Sequence, residues 1–234
     1  MSTPSPQEQV RELVRMLREG ASPDRHRAAI EIGRLGVRTR GISPTRGRIS
    51  QAQTTAFPGD YATYLQAARA GFQDADPDVR REVAFAVGEW GDAAAVAILR
   101  WIVLPGDSAS EPDPGVRTAA VRALGWIGGP EAVEILERVA LEDPHQEVRS
   151  SAVSALGSLA RSEYKAARTQ TPTIPPLQPT VRTRGAVRTR GSSPVRSLSA
   201  EAQQVLNLLE RVRGTDPSWQ VRDAADDVLT DLGE

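Results

Sequence analysis

One pattern recurs along this chain and leaves little freedom in how it can fold. DPDVRREVAFAVGEWG begins at Asp76, DPGVRTAAVRALGWIG at Asp113, DPHQEVRSSAVSALGSLA at Asp143 and DPSWQVRDAADDVLTDLG at Asp216. A weaker copy, SPDRHRAAIEIGRLG, begins at Ser22. An arginine holds the same place in every copy: Arg25, Arg80, Arg117, Arg149 and Arg222. Self-similarity at a period of 20–50 residues signals a repeat architecture.

Each copy reads as a helix. Asp or Ser followed by Pro is an N-cap and a first-turn proline, whose missing N–H is not needed there. Apolar residues then fall at helical spacing, as in Val116, Ala120, Ala123, Leu124 and Ile127. A second amphipathic segment precedes each copy: Glu8–Arg18, Tyr61–Phe72, Ala93–Leu104, Glu131–Leu141 and Ala200–Val212. The unit is a helical hairpin. One hairpin cannot bury its apolar face alone, so neighbours must stack. The expected fold is all-α, an α-solenoid of about five hairpins.

The string VRTRG occurs three times, at Val37–Gly41, Val181–Gly185 and Val187–Gly191, and each time between hairpins. Residues 37–58 carry four arginines and no acid, and residues 161–198 carry eight basic residues and one acid. The net charge of the whole chain is -1, so the remainder carries -12. The second stretch is rich in Pro, Ser, Thr and Arg and lacks helical periodicity, which reads as disorder. The expected organisation is therefore a first hairpin over 1–36 and a basic, flexible insertion over 37–58. Three central hairpins follow over 59–160, a disordered insertion over 161–198 and a last hairpin over 199–234.

The pattern D-P-x-V-R-x-x-A-x-x-A-L-G-x-I-G resembles the short HEAT-like repeats of the phycobilisome (phycocyanobilin) lyase type, an armadillo-type fold. The resemblance implies a HEAT-like solenoid with two basic inter-repeat insertions. It also implies a possible partner, a bilin or phycobiliprotein, and the role of a bilin lyase subunit or lyase-like chaperone. Repeats of this kind serve many unrelated functions.

The residues offer little chemistry. With no cysteine, disulfides, thiolate metal sites and thiol nucleophiles are excluded. The two histidines are His26 and His145. Metal-binding HEAT-repeat hydroxylases carry His-Glu pairs in several repeats, whereas here His26 is followed by Arg27 and His145 by Gln146. No nucleophile triad or phosphate-cradling glycine loop is visible. No catalytic residue, metal or cofactor is assigned, and enzyme activity is not the expectation. The N-terminus lacks a signal-peptide pattern, and no apolar run approaches the roughly 18 residues of a membrane span. A cytoplasmic protein is expected.

Overlaying the repeats separates core from surface. Counted from the Val of each VR pair, the eleventh place holds Trp90, Ile127, Leu159 and Leu232, an apolar column that assigns Trp90 to the core. The second, sixth and tenth places are mostly polar and share one helical stripe. Large apolar residues on that stripe are informative. The candidate partner-binding groove is Arg81, Phe85, Glu89, Arg122 and Trp126. The repeated arginines Arg25, Arg80, Arg117, Arg149 and Arg222 are assigned a structural role between repeats, because a partner-reading residue should vary. Trp101 is placed on the outer face, and Trp219 is read as a local packing residue. The leading functional expectation is a non-enzymatic scaffold that holds a protein partner in the groove. The bilin-lyase role comes second. Weak nucleic-acid binding by the Arg-rich insertions comes last, since the solenoid itself is acidic.

Overall fold

The computed structural model describes residues 6–40, 68–90, 94–104, 111–169 and 199–232. Its helices are α1 (Pro6–Glu19), α2 (Ser22–Arg40), α3 (Pro77–Trp90), α4 (Ala94–Val103), α5 (Pro114–Ile127), α6 (Pro130–Glu142), α7 (Gln146–Thr169), α8 (Ala200–Thr215) and α9 (Trp219–Leu232). Residues 68–71 are also helical and Phe72 follows them, buried; residues 61–67 of the expected Tyr61–Phe72 segment lie outside the described residues. So do the insertion interiors and two of the three VRTRG copies. The fold is the expected all-α solenoid of HEAT-like hairpins.

Local chemistry sets the helix ends. Asp113 caps α5, its Oδ1 accepting from the Val116 N–H at 3.0 Å, with Pro114 in the first turn. Gly128 (φ 67°) and Gly129 (φ 88°) turn the chain into α6, a backbone conformation that suits glycine. Ser199 caps α8 by accepting from the Ala202 N–H.

The second helices α2, α3, α5, α7 and α9 stack closely side by side, while the first helices touch one another much less. The layer therefore curves toward the second helices. Glycines permit the close approach. A Cβ on Gly88 would lie 2.6 Å from that of Ala123, one on Gly125 2.8 Å from that of Ala155, and one on Gly157 2.5 Å from Val228 Cγ1. Between the layers lie fully buried Leu99, Leu124, Ile135, Leu136, Leu156, Leu209 and Leu229. Each such leucine contributes about 1.5–3 kcal/mol.

The repeated arginines form a ladder along the hairpin turns. Arg25 makes a two-pronged pair with Asp74 (2.6 and 3.0 Å), Arg80 with Glu111 (2.8 and 2.8 Å), Arg117 with Asp143 (2.9 and 3.0 Å) and Arg149 with Asp216 (2.8 and 2.9 Å). Each acid belongs to the next repeat. Its carboxylate also accepts a backbone N–H of its own turn, from Asp76, Asp113, His145 or Ser218. Its main-chain carbonyl in turn accepts NH1 of that repeat's own arginine, at 2.7 Å for Arg80, 2.9 Å for Arg117 and Arg149, and 2.7 Å for Arg222.

Two boundaries differ from expectation. Helix α2 continues past residue 36 to Arg40, because nothing breaks it before Gly41. Helix α7 runs past residue 160 to Thr169. Residues 161–169 are good helix formers, and Tyr164 packs against the core. Arg161 pairs with Asp231 at 3.1 Å, and the Ser199 hydroxyl donates to Glu163 at 2.6 Å, so the first part of the expected disordered insertion is fixed to α8 and α9. Trp219 is 63% exposed rather than packed, standing in the first turn of α9. Trp101 is 53% exposed. Trp90 ends α3, and its side chain lies outside the described residues.

Two predictions follow from the ladder. Arg117 and Asp143 are both buried, so Arg117→Ala strands a carboxylate and should cost about 3–5 kcal/mol in denaturant unfolding. Arg138→Ala removes an exposed pair with Glu142 and should stay within about 0.5 kcal/mol. Equal losses would contradict the ladder's role.

The second concerns acid. Burial alone would raise the carboxyls of Asp74 and Asp216, but the bonds from Arg25 and Arg149, and from the turn N–H groups, hold both below the usual carboxylate range. A depressed folded pKa gives stability that is present above about pH 4 and lost as pH falls through the folded value. Thermal melts should therefore show a steep acid limb below about pH 4, and Asp216→Asn should flatten it while lowering stability at pH 7. An unchanged limb would show that other groups set it.

Candidate functional site

The concave stripe is built from one face of the second helices. The repeat places residues two, six and ten of each on that face, four apart and therefore one above another. On α2 these are His26, Ile30 and Arg34, on α3 Arg81, Phe85 and Glu89, on α5 Thr118, Arg122 and Trp126, on α7 Ser150, Ser154 and Ser158, and on α9 Asp223, Asp227 and Asp231. All are exposed or half-exposed. From α3 onward the stripe thus passes from aromatic and cationic, through hydroxyl, to acidic.

Three expected residues come together. The Phe85 and Trp126 rings stack with centroids 6.0 Å apart and an interplanar angle of 29°. Arg122 lies across the other part of Phe85, its Cζ 5.8 Å from the ring centroid. Trp126 remains 44% exposed. The glycine at position 88 makes the pairing possible, since a Cβ there would lie 3.0 Å from the Trp126 ring.

The other two expected residues stand apart. Arg81 pairs with Asp78 on its own helix at 2.7 Å. Glu89 presses its carboxylate toward Gly33 of α2, where partial burial and the charge of Glu82 raise its pKa against the pull of Arg34.

Beside Trp126 opens a cavity of about 570 Å³. It is lined by Arg122 and Trp126 from α5, Ser150, Ser154, Ser158 and Glu163 from α7, and Glu201 from α8. The overlay missed this cavity, because Glu201 lies on a first helix and Glu163 beyond the repeat. The run of serines at four-residue spacing was its visible signal.

Comparison with known proteins follows this geometry. Residues 65–157 match the family described as HEAT repeats, and the chain carries HEAT repeats. Among curated proteins it is similar to deoxyhypusine hydroxylase of Gallus gallus, 36% identical over 89 residues that make up 38% of this chain and 28% of that protein. It is similar to the mouse (Mus musculus) enzyme, 35% identical over the same shares. The Candida glabrata enzyme is 30% identical over 112 residues, 48% of this chain and 34% of that protein. The chain thus spans about a third of the length of the curated relatives it matches. A solved structure of human deoxyhypusine hydroxylase in complex with glycerol superposes with a TM-score of 0.50 at 19% identity, over 98% of this chain and 64% of that one. At that identity it speaks for the fold alone.

These matches correct the functional expectations. The named relatives are enzymes, against a non-enzymatic scaffold and against the expectation of no enzyme activity. They are hydroxylases rather than bilin lyases or nucleic-acid binders, so the phycobilisome-lyase resemblance extends to the repeat and not to the role. The physical reason is that D-P-x-V-R and A-L-G encode the capping, ladder and close-packing positions that any such hairpin needs.

A His-Glu metal centre does not fit this chain. His26 lies in the first turn of α2, and His145 is exposed in the turn before α7. Among the described residues no three of His, Cys, Asp or Glu gather where a metal could be held. No helix among them is long and apolar enough to cross a membrane.

The columns make a stability prediction. Trp126→Ala should cost about 1 kcal/mol, mostly the lost ring stacking. Phe85 is half-buried and packs against the core, so Phe85→Ala should cost more. Leu124→Ala should cost about 2–5 kcal/mol. Denaturant unfolding of the three variants checks this order, and a Trp126→Ala loss matching that of Leu124→Ala would place Trp126 in the core.

Proposed function

We propose that this chain supplies the substrate-holding HEAT-repeat surface of a hydroxylase-type enzyme related to deoxyhypusine hydroxylase. On this reading a protein-borne basic side chain lies along the concave stripe. The observation that carries the reading is the shared name of the curated relatives. The stripe supports it chemically. The open indole face of Trp126 can take an ammonium group by cation–π attraction. Asp223 and Asp227 make no ion pair among the described residues, and Glu201 stands on the cavity wall. The groups that carry out the oxidation would come from outside this sequence, because its own residues do not fit a metal centre.

The test is calorimetric titration of the intact chain with a peptide bearing deoxyhypusine and with the same peptide bearing norleucine there. The deoxyhypusine peptide should bind about tenfold or more tightly, a difference of about 1.4 kcal/mol or more. Trp126→Ala should erode that preference. Equal binding of the two peptides would overturn the reading. Hydroxylated product made by the chain alone with added divalent metal would move the reacting groups into this sequence.

A further inference from the structure

Arg122 is a positioned cation without a counter-ion. Its guanidinium is held over Phe85, and among the described residues it makes no hydrogen bond or ion pair. The other arginines of the stripe differ: Arg34 pairs with Glu31 and Arg81 with Asp78. A guanidinium stacked on an aromatic face loses rotational freedom but keeps the N–H fork at its edge, a geometry matched to a carboxylate.

Arg122 borders the 570 Å³ cavity. Ser150 and Ser154 on the facing wall have hydroxyls that make no hydrogen bond among the described residues, whereas Ser158 donates to the Ser154 carbonyl at 2.9 Å. The cavity lies within the usual size of a ligand site, about 300–1,000 Å³. Its lining therefore offers an open arginine fork, hydroxyl donors and the Trp126 ring.

We propose that Arg122, with Ser150 and Ser154, forms a carboxylate subsite that takes an aspartate or glutamate side chain of a bound protein segment. The segment lies in the cavity beside Trp126, with the carboxylate two-pronged on Arg122. This deepens the substrate-holding reading and rests on it for the protein nature of the ligand. A single-charge carboxylate is favoured over a phosphorylated side chain. Glu163 and Glu201 also line the cavity, and each would repel a dianion about twice as strongly as a single charge.

The test uses the intact chain and four capped pentapeptides, followed by tryptophan fluorescence and by calorimetry. They are Gly-Glu-Gly-Lys-Gly and the same peptide with glutamine for glutamate, with phosphoserine for glutamate, or with norleucine for lysine. The glutamate peptide should bind about tenfold more tightly than the glutamine peptide, the expected size for a charge-assisted hydrogen-bonded pair. Arg122→Gln should abolish that preference, while Arg138→Gln on the outer face should keep it. Binding should weaken as salt rises. Failure of the glutamate peptide to bind, or a preference that survives Arg122→Gln, overturns the subsite. Tighter binding of the phosphoserine peptide overturns the carboxylate assignment. Equal binding with norleucine for lysine would count against the basic-side-chain reading and leave the Arg122 subsite standing.

Discussion

The arginine–carboxylate ladder is the interaction on which the rest of the solenoid depends. Each turn acid serves three groups at once: the arginine of the preceding repeat, an N–H of its own turn and, through its carbonyl, its own arginine. The chain of bonds runs from Arg25 through Asp74, Arg80, Glu111, Arg117, Asp143 and Arg149 to Asp216 and Arg222. Buried ion pairs add little net stability, because desolvation offsets the attraction. What the ladder fixes is register. A hairpin slipped along its neighbour would leave a charged fork and a turn N–H unsatisfied together. The alanine-rich core, with its small and similar side chains, would resist such a slip far less.

Departures from the ladder's rule fall at the two ends of the described solenoid. Gly20 stands where later repeats have the acid, and it offers Arg25 a carbonyl alone. Arg222 bonds the carbonyls of Asp216 and Pro217, with no carboxylate partner among the described residues. The glycine column changes as well. Gly33, Gly88, Gly125 and Gly157 let the next helix approach, whereas α9 has exposed Thr230 at that place, alongside Asp223, Asp226 and Asp227. The face of α9 is thus polar where those of α2, α3, α5 and α7 are close-packed, Trp219 excepted.

The repeated arginines could be assigned between repeats from sequence because they never vary. Their partners could not. The acids sit in turns, outside the helical period, and one of the four is Glu111 rather than aspartate. The close-packing glycines were visible in A-L-G without a stated reason, because only the backbone separation shows that a methyl group would clash. The stripe was legible, since columns two, six and ten are polar in most copies, and it brought Phe85, Arg122 and Trp126 together correctly. Arg81 and Glu89 lie on the same stripe but apart from that cluster, Arg81 paired with Asp78 of its own helix and Glu89 turned toward Gly33 of α2. Function was not legible. The residues that make the pattern recognisable are those consumed by caps, ladder and packing, and they are shared by proteins of any role.

That division of labour also explains how one fold can change the residues of its concave face and keep its architecture. Caps, ladder and glycines occupy fixed places in each hairpin, so the stripe can change residue type with little cost to folding. Here the stripe holds a stacked aromatic pair, Arg122 without an ion pair among the described residues, a serine row, three aspartates and, at the second place of α2, His26. On the proposed reading these groups bind a ligand directionally. Negative charge is drawn toward Arg122 and positive charge toward Glu201 and the α9 aspartates. On the proposed reading, an extended segment with an acid and a base a few residues apart has one favourable orientation in the groove. Reversing it would set each charge against its like. A stripe that fixes the orientation of its ligand brings the same side chain to the same place at every encounter, which an enzyme's substrate-holding surface must achieve before any reacting group can act.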